Sequence, residues 1–381
     1  MSWPAVPEEL LAGPRGRHVC FEAVSPYRGR TELLQFPAWF SAMYGSGRAE
    51  LAQLADELAV LVAAADLEAV AGTEADTGLL GYVAEAVTWA KYWQSAQAWE
   101  QPLAADEIRI VLEPVARAVT AAPAAGWWSE PVERDRQQYA QFLSRDGDFD
   151  MEPPALTGAA DRLARWRAQV GEREQAAARL PADPAANYSS WWWSTPALAG
   201  LVCTTRSVPG LGALRLLLVE DSMGWPEALC WPLAPRPAAR VYEIREPRDW
   251  TALVARYPLD VTKSRRHDWF KVTGRAGTWL IPDYAAVAAD YDGVHLTVGG
   301  YLTTAGRSLP VEGADPDGTA ATMLAGWDPD LTYWLTDVLE PAGSESAGSE
   351  SAGSLGPAAP GGQPARWIER DGEPLGWAVV E

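Results

Sequence analysis

The stretch 277–298, GTWLIPDYAAVAADYDGVHLTV, is the part of the sequence that indicates the fold class most directly. It begins with a short predicted strand, and Pro282 then introduces a helix over 284–290, because proline is favoured in the first helical turn. An Asp292-Gly293 turn precedes residues 294–298, whose strict alternation is typical of a half-buried strand. A strand, a helix and a second strand in succession predict a sheet that packs against helices.

The chain around this stretch divides into two predicted domains. Residues 188–339 combine short β-branched runs with turn signals such as Pro209-Gly210, which predicts an α+β domain with a mixed or antiparallel sheet. Residues 1–181 are predicted to form a mostly helical domain. Its helices, predicted largely from apolar residues at helical spacing, lie at 51–62, 79–99, 108–122, 134–143 and 159–180. The whole chain is therefore predicted to be α+β.

The last part of the sequence has a different composition. Residues 340–364, which include GSESAGSESAGS, predict a disordered Gly/Ser/Glu linker, since such a segment buries too little apolar surface to order itself. Residues 365–381 carry Trp367 and Trp377 and are predicted to be a short docking segment. Asp371-Gly372 is a hairpin signal and favours docking in cis, and docking on another molecule is the alternative.

Charge and aromatic content limit the classes of partner. The formal net charge of -20 opposes nucleic-acid binding and binding to an anionic membrane, because both require a basic footprint. We therefore predict a protein partner or an anionic small molecule. The 20 tryptophans indicate aromatic cores and domain interfaces, with aromatic ligand platforms as the alternative.

The three cysteines and the N-terminus indicate the compartment. Cys20, Cys203 and Cys230 are far apart and form no CxxC pair, so the sequence signals neither a disulfide framework nor a zinc site. Residues 1–16 lack the apolar region of a signal peptide, and no run of 18 apolar residues occurs. These features predict a cytoplasmic protein without a membrane span.

A basic segment stands out against this acidic background. Residues 263–275, KSRRHDWFKVTGR, contain five cations and one carboxylate and are predicted to be a surface loop between a helix and a strand. The segment is predicted to bind an anion through five side chains, those of Lys263, Arg265, Arg266, Lys271 and Arg275. The alternative is that these cations pair with acidic residues of the chain itself.

Candidates for acid–base chemistry are few. His267 lies within the basic segment, and His295 lies in the predicted strand 294–298 close to Asp292. Together these three residues are candidate catalytic groups, although a lone strand histidine is usually structural. Thr204-Thr205-Arg206 and Glu243 suggest ADP-ribosyl transfer as a remote option, but no Glu-x-Glu motif accompanies them.

Motifs for metals and cofactors are absent from the sequence. It contains no HExxH, no Cys/His ligand spacing, no phosphate loop and no dinucleotide fingerprint, so no metal and no cofactor is predicted. The turns Asp315-Pro316-Asp317 and Asp328-Pro329-Asp330 suggest calcium only weakly, since neither lies in a twelve-residue calcium loop.

The later part of the chain resembles a family. The segments DWTALVARYP, SRRHDW, IPDYAAVAADYDGVHLTVGGYLT and LAGWDPDLTYWL, all within residues 241–337, resemble uncharacterised proteins encoded in actinobacterial genomes. The resemblance implies a single module and no particular reaction.

These observations predict a cytoplasmic binding or interaction protein with an anion-binding site on the basic loop. The alternative is an enzyme that acts on a nucleotide-like or phosphorylated small molecule, with Arg265 and Arg266 as anion clamps and His267 as acid–base.

Overall fold

The computed structural model describes residues 6–25, 38–39, 41, 50–72, 76–143, 152–313, 318–342, 364–369 and 376–380. Within these ranges the chain forms eleven α-helices and fourteen strands, and ten of the strands belong to one mixed sheet. The predicted α+β class is confirmed, with a helix-rich N-terminal part followed by a sheet-rich part.

The helices join the two parts. Those of the N-terminal part are α1 (Pro7–Ala12), α2 (Pro14–Val24), α3 (Leu51–Ala64), α4 (Leu67–Ala71), α5 (Asp76–Thr88) and α6 (Asp106–Ala121). Those of the later part are α7 (Ala159–Ala177), α8 (Pro247–Arg256), α9 (Thr262–Thr273), α10 (Tyr284–Val287) and α11 (Val298–Thr304). Helix α2 packs against α5 and α6, and α11 packs against α1 and α2. The contacts of α11 thus connect the helical part to the sheet.

The strands come almost entirely from the second half of the chain. They are β1 (Gln137–Leu143), β2 (Cys203–Val208), β3 (Gly212–Ala213), β4 (Glu227–Pro235), β5 (Val241–Ile244), β6 (Pro258–Asp260), β7 (Leu280–Pro282), β8 (Gly293–Leu296), β9 (Leu309–Pro310), β10 (Ala321–Thr322), β11 (Leu331–Trp334), β12 (Leu339–Pro341), β13 (Ala365–Glu369) and β14 (Trp377–Val380).

The main sheet has the order β14-β13-β4-β1-β2-β11-β8-β5, with β12 added to β4 and β3 added to β2. All its pairs are antiparallel except β5 and β8, which are parallel. The register places His295 of β8 between Glu243 of β5 and Thr332 of β11. Polar side chains of neighbouring strands therefore meet inside the sheet.

The helix predicted over 134–143 is wrong, because residues 137–143 form the central strand β1. This strand pairs along its whole length with β4, for example Tyr139 with Trp231, and its first residues also pair with β2. Hydrogen bonding on both edges outweighs the local helical pattern, as tertiary context commonly does. The strand belongs to the sheet although it lies within the predicted helical domain 1–181.

Three predicted boundaries also differ from those in the structure. The strand predicted at 294–298 ends at Leu296, because the Thr297 hydroxyl accepts a hydrogen bond from the Gly300 N–H (2.9 Å) and starts α11. The helix predicted at 284–290 ends at Val287. The linker predicted from residue 340 begins too early, because Glu340 still pairs with Ala234 in β12. The predicted turn at 371–372 lies outside the described residues.

Tryptophan contributes heavily to the core. The fully buried tryptophans include Trp39, Trp128, Trp166, Trp250, Trp269, Trp279, Trp327 and Trp334. One apolar cluster runs from Leu10 of α1 to Trp377 of β14, so both parts of the chain share a core. In the part of the chain that the structure describes, no helix combines the length and apolar character needed to cross a bilayer.

We expect two glycines in helices to respond oppositely to alanine. A Cβ on Gly300 would lie 2.2 Å from the Ile244 carbonyl oxygen, whereas a Cβ on Gly171 in α7 would meet nothing within 4 Å. Gly300→Ala should lower the free energy of unfolding by roughly 1–3 kcal/mol through overpacking. Gly171→Ala should raise it by roughly 0.5–1 kcal/mol through helix propensity. Urea unfolding measures both, and a neutral Gly300→Ala would contradict the close packing of α11 on β5.

Candidate anion-binding cleft

The prediction that residues 263–275 form a surface loop is wrong. Thr262–Thr273 is the helix α9, which ends at Gly274 in the left-handed conformation (φ 68°). The residues that α9 buries are mostly polar, namely Ser264, Arg265, His267, Asp268 and Trp269. Because this buried face is polar, it leaves no apolar periodicity in the sequence.

Helices α7 and α9 are joined by reciprocal hydrogen bonds, in which a side chain of each helix binds backbone groups at one end of the other. The Glu174 carboxylate of α7 accepts hydrogen bonds from the N–H groups of Lys263 (3.0 Å) and Ser264 (2.9 Å), so it caps the N-terminus of α9. In return, Arg266 Nη2 donates to the carbonyls of Ala177 and Leu180 (2.9 Å each) at the C-terminus of α7. Negative charge at an N-terminus and positive charge at a C-terminus both stabilise helices.

The buried Arg265 holds the tryptophan-rich segment before β2. Its Nη2 donates to the Trp193 carbonyl (3.0 Å) and its Nη1 to the Ser264 hydroxyl (2.6 Å). Burial lowers the pKa of Arg265 to about 10. Lys271 donates to the Tyr188 carbonyl (2.7 Å), and Arg275 donates to the Thr278 carbonyl (3.1 Å).

Most of the side chains that were predicted to bind an anion thus form hydrogen bonds within the chain itself. Arg265, Arg266, Lys271 and Arg275 all donate to backbone carbonyl oxygens, and only Lys263 among the five is exposed. His267 is buried, with Nδ1 3.3 Å from the Pro184 carbonyl oxygen. The segment orders the chain between α7 and β2, and its predicted anion binding stays a prediction.

His295 lies in a buried ionic network that joins three strands and the turn before β11. Its Nδ1 is 2.7 Å from Glu243 Oε2 of β5, and its Nε2 is 3.4 Å from Asp330 Oδ1 before β11. Asp330 also accepts hydrogen bonds from Arg206 of β2, from Nε at 2.7 Å and from the backbone N–H at 3.0 Å. Burial alone would lower the pKa of His295, but Glu243 and Asp330 outweigh it and raise the pKa to about 9.

This network leaves its members little freedom for catalysis. A histidine held between two carboxylates stays protonated at neutral pH. Both of its ring nitrogens then carry a proton, so it has no lone pair with which to act as a base. Arg206 and Glu243, which suggested ADP-ribosyl transfer, are both engaged here. Asp292 lies elsewhere in a turn, where its carboxylate accepts hydrogen bonds from the Arg240 N–H (2.8 Å) and the Thr336 hydroxyl (2.9 Å). The structure does not bring His267, His295 and Asp292 to one site.

A cleft of about 450 Å³ lies where the helical part meets the rest of the chain. Its walls come from the start of α2, the segment 89–104, the end of α9 at Val272 and Thr273, and residues 306–308 after α11. Trp89 is partly exposed and gives it aromatic surface, whereas Tyr92 and Leu103 line it but are buried. A volume of this size is typical of small-molecule sites.

The charged residues of the cleft are mostly cations. Among the described residues, its charged lining consists of one carboxylate, that of Glu100, and four cations, Arg15, Arg17, Lys91 and Arg307. That carboxylate is neutralised, because Arg15 Nη2 lies 2.6 Å away and His18 Nδ1 3.1 Å away. Burial opposes ionisation of Glu100, but Arg15 and His18 outweigh it and lower the pKa to about 2.

Arg17 and Arg307 differ from Arg15 in that their hydrogen bonds go to backbone carbonyl oxygens and not to a carboxylate. Arg17 donates to the Leu11 and Ala12 carbonyls (2.9 and 3.0 Å), and Arg307 donates to the Thr303 carbonyl (2.7 Å). Among the described residues, neither has a carboxylate within 4 Å, although Glu9 acts on Arg307 from farther away. Burial and the neighbouring guanidinium groups, that of Arg109 foremost, lower the pKa of Arg17 to about 10.

Buried polar atoms without a partner lie in the residues that line the cleft. Within the described part of the chain, Arg15 Nε and Arg17 Nε have no hydrogen-bond partner. A buried donor without a partner costs about 1–3 kcal/mol. The positive charge of the cleft rests on its cations, of which Arg17 and Arg307 have no carboxylate within 4 Å among the described residues.

Sequence reasoning missed this cleft because its cations are far apart in the chain. Arg17 and Arg307 are separated by nearly the whole folded sequence, and no motif joins them. Lys91 offered a weak signal, because it is the one lysine outside the basic segment. The fold brings the four cations together through the contacts of α11 with α1 and α2 and of α2 with α5.

Comparison of the chain with protein-family models, with curated proteins and with solved structures found no match. The resemblance over 241–337 therefore stays a prediction. Within the described ranges no cluster of histidine, cysteine, aspartate and glutamate suits a metal ion. The turn at 315–317 lies outside those ranges, and Asp328 is bound to Arg215 Nε at 2.9 Å.

Arg266 should stabilise the fold, in contrast to its neighbour Lys263. Arg266→Ala removes two charge-assisted hydrogen bonds at the end of α7 and should lower the free energy of unfolding by roughly 1–3 kcal/mol. Lys263→Ala removes an exposed cation and should change it by less than about 0.5 kcal/mol. Equal effects of the two variants in urea unfolding would argue against the contact between α7 and α9.

The His295 network should make stability depend on pH. Because the pKa of His295 is raised from 6.5 to about 9, its stabilisation is complete below pH 6.5 and is lost as the pH rises through 9. The difference in unfolding free energy between the wild type and His295→Gln should shrink by on the order of 3 kcal/mol from pH 6 to pH 10. A difference that stays constant over this range would show that His295 is not protonated in the folded state.

Proposed function

We propose that the protein binds a small organic anion in the cleft, with Arg17 and Arg307 as its charged contacts. The observation that carries this proposal is the presence of both guanidinium groups in the cleft, with no carboxylate of the described residues within 4 Å of either, in a chain of net charge -20. An anion between them would relieve the repulsion that contributes to the lowered pKa of Arg17.

The chemistry of the walls favours a phosphorylated compound with a ring. A guanidinium group binds phosphate oxygens through two parallel N–H donors, and two such groups suit a dianion better than a monocarboxylate. Trp89, which is partly exposed, supplies aromatic surface for a planar or sugar ring. None of His267, His295 and Asp292 lines the cleft, so the proposal concerns binding and not catalysis.

We further propose that the protein acts in the cytoplasm. Its three cysteines are buried thiols, and none is joined in a disulfide. Burial raises the pKa of each of these thiols, which keeps them protonated and unreactive. Reduced cysteines are typical of a reducing compartment.

Calorimetry with matched ligand pairs tests the binding proposal. AMP and glucose 6-phosphate should be compared with adenosine and glucose at constant ionic strength, and we expect a phosphorylated member to bind where its neutral counterpart does not. Arg17→Gln and Arg307→Gln should each weaken that binding by about tenfold or more, since each removes a charged contact.

Arg248→Gln is the matched control, because it removes the same charge from a side chain that is 82% exposed and outside the cleft. The proposal fails if no phosphorylated compound binds, or if Arg248→Gln weakens binding as much as the two cleft variants.

A further inference from the structure

The strands β12 and β13 occupy the same edge of β4. Leu233 of β4 pairs with Gln137 of β1 on one side and with Pro341 of β12 on the other, and Cys230 pairs with Ala140 on one side and Ala365 of β13 on the other. Both strands are antiparallel to β4, so they run end to end in the same direction along the edge away from β1.

The chain between these two strands is far longer than their separation requires. Pro341 lies opposite Leu233 and Ala365 opposite Cys230, three residues or about 10 Å apart on β4. The intervening chain has 23 residues, which can reach about 80 Å when extended. Two residues would suffice, and Ala342 already continues β12 by donating to the Pro232 carbonyl (3.1 Å).

The pair of strands β13 and β14 is only lightly attached to the rest of the fold. None of the five residues of β13 is fully buried, and Trp377 is the one buried residue of β14. Trp367 packs on Gly212, where a Cβ would lie 2.5 Å from the indole ring, and the Trp377 ring lies 6.1 Å from that of Phe142. An element with few buried apolar contacts opens at low cost.

We propose that the edge of β4 over Glu227–Cys230 is a strand-recognition site and that residues 364–381 are its tethered, exchangeable occupant. Backbone pairing with β4 provides the affinity, and the surfaces at Gly212 and Phe142 select a strand pair that carries two tryptophans. The tether keeps the occupant near its site at an effective concentration on the order of millimolar, while its length allows the occupant to leave.

A cleavable tether tests the exchange in the full chain. A protease site placed within residues 348–353 is cut after folding, and a labelled peptide of residues 364–381 is added. Fluorescence anisotropy should show the peptide replacing the cut segment, with at least tenfold weaker binding to uncut chain because the tethered copy competes. Exchange should leave the cooperative unfolding of the remaining chain intact.

Two peptide variants separate recognition from charge. Trp377→Ala in the peptide should weaken its binding by about tenfold or more, whereas Arg366→Ala should change it less than about threefold, because its ion pair with Glu227 is half exposed. The proposal fails if no exchange occurs within a day, or if the remaining chain unfolds when the segment leaves.

Deletion of residues 343–363 provides an independent measurement. It would leave Ala342 and Pro364 to join β12 directly to β13 in the present register, with Pro364 on the outer edge of the sheet where proline is tolerated. Amide exchange in β13 should be at least tenfold slower in this variant than in the full chain. Equal exchange rates would show that β13 does not leave its site, and the proposal would then be wrong.

Discussion

The cost of burying a charge governs much of this structure, because an ionised group removed from water needs partners that replace its hydration. The chain has 31 basic residues against 51 acidic ones, and it buries several of the basic groups deeply. His295 is satisfied by two carboxylates, and the two terminal nitrogens of Arg15 are bound by a carbonyl oxygen and by Glu100. Arg265 is satisfied by a carbonyl oxygen and a hydroxyl group.

These satisfied groups hold distant segments together. The His295 network joins β5, β8 and β2 through Asp330, and the contact between α7 and α9 orders the segment that leads into β2. Each contact connects residues far apart in the chain, so each contributes to a single tertiary arrangement. Arg17 and Arg307 are exceptions to this pairing, and for that reason the cleft between them is the candidate site.

The C-terminal strands follow a different principle. Most strands of the sheet are fixed by apolar contacts on at least one face, but β13 has no fully buried residue. Its position depends on backbone pairing and on two tryptophans, which are interactions that a free peptide can reproduce. An edge strand that is held in this way resembles a bound peptide more than a strand of the core.

The sequence by itself determined the α+β class, the order of its two parts and the importance of tryptophan, because hydrophobic periodicity and composition are local properties. It misassigned β1 and α9, since β1 is held by neighbours on both edges and α9 buries polar residues whose partners lie about 90 residues away. The cleft was decided by tertiary structure alone. Two of its four cations lie in α2, one follows α5 and one follows α11, and only folding shows which of them has a carboxylate nearby.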